Sequence, residues 1–185
     1  MTESDLATQL IEVGRRLAGA GLVHESEGNL SIRLGDSGCL MTATGANLGF
    51  LTASDLVEVT VATTVMSSRA TSEAQLHLEL YRRRPEVAAV VHAHPPHLLR
   101  LDADGKLPVW RRLEDRGKML GAVVAVDYFA EGSEALARAT AAALRTSKAC
   151  VLRQHGAVTV GPTLMAAFVR MLDLERAAGL TGARG

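Results

Sequence analysis

Val90-Val91-His92-Ala93-His94-Pro95-Pro96-His97 is the stretch on which the reading of the chain turns. Residues 87–91 predict a short buried strand, because they are small or β-branched, apolar and uncharged. Two histidines follow at i and i+2. Side chains alternate along a strand, so His92 and His94 face the same way with Cα atoms roughly 6–7 Å apart. Imidazoles at that separation can close on one metal ion, each nitrogen reaching to about 2.0–2.1 Å from zinc. Pro95 and Pro96 cannot continue the ladder and force the chain out of the sheet. The pair therefore sits at the carboxyl end of a strand, where α/β proteins commonly place their sites. Two polar residues closing a strand would look the same, so the rest of the chain must decide.

A chain of 185 residues predicts one domain, here spanning residues 1–185, with a sizeable core. Aromatic residues make up only 3%, so Ala, Val and Leu must fill that core. Lys plus Arg number 20 and Asp plus Glu 20; this balance predicts neither a nucleic-acid nor a membrane partner. Cys39 and Cys150 suit neither a disulfide framework nor a cysteine zinc site, and read as small core residues in a reducing compartment. The polar start, Met1-Thr2-Glu3-Ser4-Asp5, is unlike a signal peptide, and no apolar run reaches the ~18 residues of a membrane span. A cytoplasmic protein is expected.

Leu6, Leu10, Val13 and Leu17 form the apolar stripe of a first helix, capped by Ser4 or Asp5. Residues 30–42 predict a hairpin turning at Gly35-Asp36-Ser37-Gly38, followed by a helical turn and a strand over 57–61. Ser72 caps a predicted helix over 73–84 that Pro85 stops. Further strands are expected near 124, 150 and 158. Helices are expected over 134–144 and from Thr163 to about 178, with 181–185 frayed. Hairpins mixed with helical excursions argue for a mixed, largely antiparallel sheet covered by helices. Residues 98–118, with the charged patch Arg111 to Arg116, give no clear pattern.

His155 in a turn with Gly156, and Glu73 at a helix start, can complete a metal shell with His92 and His94. Each has an ordinary reading: a structural His-Gly turn, and a carboxylate suited to a helix N-terminus. Three neutral imidazoles and one displaceable carboxylate would leave Zn²⁺ a net positive charge with which to polarise a substrate oxygen. Gly28-Asn29, Thr44-Gly45 and Thr71-Ser72 are small, donor-rich spots that together can cradle a phosphate, and individually are turn and cap residues. His77, one helical turn from Glu73, is placed to hydrogen-bond it, and the Arg82-Arg83-Arg84 run reads as a solvated helix end.

Five segments taken together resemble the class II aldolase/adducin family in order and spacing. They are Gly28-Asn29-Leu30-Ser31, Thr42-Ala43-Thr44-Gly45, Thr71-Ser72-Glu73, His92-Ala93-His94-Pro95 and Gln154-His155-Gly156. The likeness runs from about Leu6 to Ala178. It implies a three-layer α/β/α sandwich around a central, mostly antiparallel sheet. It implies Zn²⁺, or another divalent metal, on His92, His94, His155 and Glu73, with Glu73 also the catalytic acid/base. It implies a phosphate site at Gly28, Asn29, Thr44, Gly45, Thr71 and Ser72, and a homotetramer with active sites at subunit interfaces.

The activity implied is a zinc-dependent aldolase. It would cleave a phosphorylated ketose of the L-fuculose-1-phosphate kind to dihydroxyacetone phosphate and an aldehyde, through a metal-stabilised enediolate. Glu73 favours this reading, because the related pentose phosphate epimerases carry an aspartate in that motif. The alternatives are a sister activity on the same metal (pentose-5-phosphate 4-epimerase, sugar-phosphate dehydratase or decarboxylase) and a non-enzymatic adducin-like interaction module. One departure stands out. The family's aldolases use a tyrosine from the segment after the HxHP strand, whereas Lys106 to Arg112 holds none, which leaves Tyr128 as a substitute. The chain also ends soon after the last predicted helix, leaving little for a tail that closes over the site.

Overall fold

Seven strands form one sheet in the order β3-β2-β1-β4-β7-β6-β5 in the computed structural model, which describes residues 2–63, 67–107, 110, 120 and 122–182. The strands are β1 (Asn29–Leu34), β2 (Gly38–Thr42), β3 (Leu56–Thr60), β4 (Ala89–Ala93), β5 (Val123–Val126), β6 (Ala149–Leu152) and β7 (Gly156–Gly161). Neighbours are antiparallel except β5 and β6. Five α-helices are seen among the described residues: α1 (Glu3–Gly19), α2 (Ala74–Arg83), α3 (Pro96–Ala103), α4 (Glu134–Ala143) and α5 (Leu164–Gly182). The chain forms the expected α/β/α sandwich with a mixed, mostly antiparallel sheet. The charged patch Arg111 to Arg116, and most of the tyrosine-free segment before it, lie outside the described residues.

Strand alternation sorts the core into two layers. Leu30, Ile32, Ala89, Val91 and Val151 pack with α1, α3 and α5. Met41, Val90, Cys150, Leu152 and Val158 face α2 and α4 on the other side. β4 is central and buried throughout, so it reads as a continuous apolar run interrupted by His92 alone. Both cysteines are free and buried, and burial pushes each thiol up to about 12, so they behave as small core residues. No helix among the described residues is long and apolar enough to cross a membrane.

Several ends differ from the sequence reading. Thr2, not Ser4 or Asp5, caps α1, in a reciprocal box with Asp5. β4 runs two residues further than expected and takes His92 into the ladder. The cap position of α2 is Glu73, while the Ser72 hydroxyl points to Glu131 Oε1 at 3.4 Å. The arginine run is not simply solvated. Arg82 donates to Val61 O, and Arg84 donates to Leu144 O and Ser147 O beyond the end of α4. Free carbonyls at loop and helix ends need donors, and these guanidinium groups supply them. The last helix continues through Thr181, whose hydroxyl donates to Ala177 O.

α3 begins at a cap position occupied by Pro95, which has no side-chain acceptor. Glu175 of α5 supplies one from outside: its carboxylate accepts the His97 and Leu98 N–H groups at 3.0 and 3.2 Å, and the His97 ring at 2.7 Å. Glu175→Ala should therefore lower unfolding free energy by about 1–3 kcal/mol in urea titrations, with Glu175→Gln closer to wild type.

Candidate metal centre

β4 sits between β1 and β7, with His92 directly opposite Asn29 on one side and Val158 on the other. Opposed residues share a face, so His92 and Asn29 both project towards α2. Glu73, at the start of that helix, is brought down onto them. Asn29 Nδ2 donates to Glu73 Oε2 at 3.0 Å, and His92 Nε2 lies 2.9 Å from the same oxygen. His94 follows the strand, its N–H bonded to Leu22 O.

His155 arrives on the turn between β6 and β7. That turn has Gln154 in the left-handed region at φ 59, and its N–H donates to Asp102 Oδ2 at 2.7 Å. Asp102 closes α3, the helix that follows His94, so one short helix ties the third histidine to the first two. Nothing in the sequence singled out Asp102; the signal available was the run Asp102-Ala103-Asp104-Gly105, in the segment with no clear pattern. Two glycines make room at this point. A Cβ on Gly156 would lie 2.5 Å from Ala93 O and 2.8 Å from His94 Cδ2. One on Gly28, at φ +70, would lie 2.7 Å from His92 O.

The three imidazoles surround one point. Ring centroids are 5.0, 4.8 and 5.3 Å apart for the His92–His94, His92–His155 and His94–His155 pairs. One nitrogen from each lies within 4.8 Å of the others. His92 Nε2 and His94 Nε2 are 3.2 Å apart. Two nitrogens of a tetrahedral zinc shell are expected about 3.3 Å apart. Two of the remaining ring nitrogens face groups outside the cluster. His92 Nδ1 donates to Ala157 O at 3.0 Å, which leaves Nε2 free to bind, and His94 Nδ1 lies 3.6 Å from Glu27 Oε2. Glu73 Oε1, 3.7 Å from His155 Nε2, is buried with no hydrogen-bond partner. An orphaned buried carboxylate oxygen beside a cluster of three imidazoles fits a divalent cation.

The electrostatics agree. Burial alone would raise the Glu73 pKa, but His92, Asn29 and His155 hold it well below the usual carboxylate range. Burial opposes charge on His92, yet Glu73 and the Ala157 carbonyl raise its pKa on balance. Burial, with positive charge at His92, lowers His94 to about 4, and the same causes lower His155. The carboxylate thus favours one positive charge at this point, and the crowding of imidazoles disfavours a second proton.

All six residues read as phosphate donors, Gly28, Asn29, Thr44, Gly45, Thr71 and Ser72, line one cavity of about 230 Å³. Glu73, His92 and His94 line it too, joined by Glu27 and Glu131, which the sequence reading had passed over. Asn29 spends one amide hydrogen on Glu73, leaving the second. His77 does not bond Glu73 as expected; its Nε2 lies 2.6 Å from Asn29 Oδ1. His97 stands apart, paired with Glu175. Tyr81 is buried on the sheet-facing side of α2, while Tyr128 is 61% exposed.

Asp102→Ala should weaken divalent-metal binding by about tenfold or more in a chelator competition, by freeing the His155 turn, whereas Asp102→Asn keeps an acceptor for the Gln154 N–H. A pH effect follows from His77, whose pKa burial lowers to about 3. Below the ordinary imidazole value of about 6.5 the unfolded chain gains a proton that folded His77 refuses, so its contribution to stability falls as pH drops towards 3. Metal-free wild type should lose more stability between pH 7 and 5 than His77→Gln, by on the order of 1–2 kcal/mol in urea titrations.

The comparisons with known proteins agree with this geometry. A sequence profile of the Class II Aldolase and Adducin N-terminal domain matches residues 8–181. An L-fuculose phosphate aldolase of Methanocaldococcus jannaschii is 34% identical over 177 residues, 94% of this chain and 93% of that one. A 3-oxo-tetronate 4-phosphate decarboxylase of Haemophilus influenzae is 30% identical over 184 residues, covering 96% and 88% of the two chains. The crystal structure of L-fuculose-1-phosphate aldolase from Thermus thermophilus superimposes with a TM-score of 0.87 at 31% identity, over 98% of this chain and 95% of that one. The chain belongs to the class II aldolase and adducin N-terminal domain family.

Proposed function

We propose that the protein is a zinc-dependent aldolase that cleaves a phosphorylated ketose, of the L-fuculose-1-phosphate kind, to dihydroxyacetone phosphate and an aldehyde. The observation that carries this reading is a single cavity whose walls bring Glu73, His92 and His94 together with the six phosphate-donor candidates. His92, His94, His155 and Glu73 would hold the metal. When bound, the cation supplies a Lewis acid that polarises the ketose carbonyl and takes up negative charge as the C3–C4 bond breaks. Gly28, Asn29, Thr44, Gly45, Thr71 and Ser72 bind the phosphate through backbone N–H, amide and hydroxyl donors beside the start of α2, and so fix the reacting carbons over Glu73.

Glu73 moves the proton at C3: in cleavage it passes to C3 a proton taken up from solvent, matched by the one the C4 hydroxyl gives up, and in condensation it takes the C3 proton back. The C4 hydroxyl must lose its own proton to a second group. Of the chain's two tyrosines, Tyr128 is the exposed one, three residues before the cavity-lining Glu131, and is assigned that role. The assembly proposed is a homotetramer with the cavity at a subunit interface.

Both an aldolase and a decarboxylase stand among the relatives. Glu27, Glu73 and Glu131 lie in the cavity wall, and no Lys or Arg is among the described residues lining it. With the phosphate held by the neutral donors and Glu73 spent on the metal, Glu27 and Glu131 oppose a second anionic group such as a substrate carboxylate. The test is a panel of ketose 1-phosphates, pentose 5-phosphates and phosphorylated keto acids on zinc-loaded protein, following release of dihydroxyacetone phosphate. Cleavage of a ketose 1-phosphate is expected, and Glu73→Gln should lower its turnover by about 10²–10⁴-fold while inorganic phosphate still binds. Turnover confined to the pentose phosphates or keto acids would replace the aldolase by one of its sister activities.

A further inference from the structure

Beneath the cavity lies a continuous polar seam that phosphate binding and metal ligation leave unexplained. Asn29 and Ser31 stand at i and i+2 on β1, facing α2. Glu73, His77 and Tyr81 stand at i, i+4 and i+8 along that helix, in the row that faces them. The two rows interlock through four side-chain hydrogen bonds. Asn29 meets Glu73 at 3.0 Å and His77 at 2.6 Å, and Ser31 meets His77 Nδ1 at 2.6 Å and Tyr81 at 2.7 Å. Asn29 is 5% exposed and the other four 2% or less. Burying five polar side chains costs several kcal/mol unless each is paired, so a seam of this kind calls for a reason.

Its polarity follows from its end. A carboxylate only accepts, so Asn29 must turn its NH₂ to Glu73 and its Oδ1 to His77. Oδ1 only accepts, so His77 carries its proton on Nε2. Nδ1 is then bare and accepts from Ser31, whose oxygen accepts from Tyr81. Burial keeps the Tyr81 phenol protonated and His77 neutral, in line with that order. Each group has one allowed state, and all of them point at Glu73.

We propose that His77 is a positioning residue which, by fixing the amide orientation of Asn29, presents one Asn29 N–H to Glu73 and the other to the substrate phosphate. The inference rests on the reading of Glu73 as the proton carrier. Were Asn29 to flip, its Oδ1 would face the carboxylate and the phosphate pocket would lose a donor. A flip would break two contacts at once, setting Oδ1 against the carboxylate and NH₂ against the His77 Nε2–H, so His77 reinforces the orientation that Glu73 selects. A residue that touches neither metal nor substrate thereby ties phosphate recognition to the orientation of the acid/base.

Histidine nitrogen NMR of the zinc-loaded wild type should show His77 protonated on Nε2 and bare on Nδ1. His77→Gln places an amide N–H where Nε2–H stood, while His77→Asn places its amide near Nδ1 and cannot reach Asn29. On the ketose 1-phosphate cleaved fastest by wild type, His77→Asn should lower kcat at least about tenfold, with KM moving less than about threefold, and His77→Gln should recover most of the loss. A proton on Nδ1, or a folded His77→Asn with wild-type kcat, overturns the proposal, as does a His77→Gln that falls as far as His77→Asn. If wild type cleaves no ketose phosphate, the functional reading fails by itself, and the NMR result on wild type still decides the network.

Discussion

A strand buried on both faces can tolerate a polar side chain only where a polar partner waits for it, and β4 meets that condition at a single position. Val91 and Ala93 enter the apolar layer under α1, α3 and α5, whereas His92 turns the other way, opposite Asn29 and below Glu73. A slip of one residue in the register would push the imidazole into the hydrocarbon layer and a valine side chain into the histidine cluster. The alternation that builds the core therefore also fixes the site. His94 keeps the same facing just beyond the ladder, where a side chain can reach the cavity.

The remaining groups are held to β4 by devices of short range. Glu73 lies at the first turn of α2, Asp102 at the last turn of α3 grips the His155 turn, and Glu175 secures the start of α3. Gly28 and Gly156 allow backbone to pass where any side chain would strike the histidine strand. Three helices from both layers thus converge on one strand end. α2 and α3 contribute termini, which is where a helix has unpaired backbone groups and a free choice of side-chain direction, and α5 contributes Glu175 from within its length.

Local pattern revealed most of the elements and all three histidines. Hairpin, strand and cap signals are confined to a few adjacent residues, and i, i+2 spacing on a strand has one geometric meaning. The partners of those groups were not legible. Asp102 and Gln154 are 52 residues apart, Asn29 and His77 48, and Glu175 and His97 78. Such pairs exist only once the sheet order is known. His77 misled for this reason: helical spacing pointed it at Glu73, whereas the facing strand took both of its nitrogens. Arg84 misled likewise, since a cation at a helix end is expected in water until a neighbouring helix brings unpaired carbonyls to it.

The seam under α2 has one more consequence. Every hydrogen in it, from the Tyr81 phenol to the Asn29 amide, points in the same direction, so the bond dipoles add and present a positive end to Glu73, much as the N-terminus of a helix would. Such an environment welcomes the anion and penalises the neutral acid. In the proposed reaction a protonated Glu73 would stand among oriented donors, and the scaffold itself would drive it to hand that proton on.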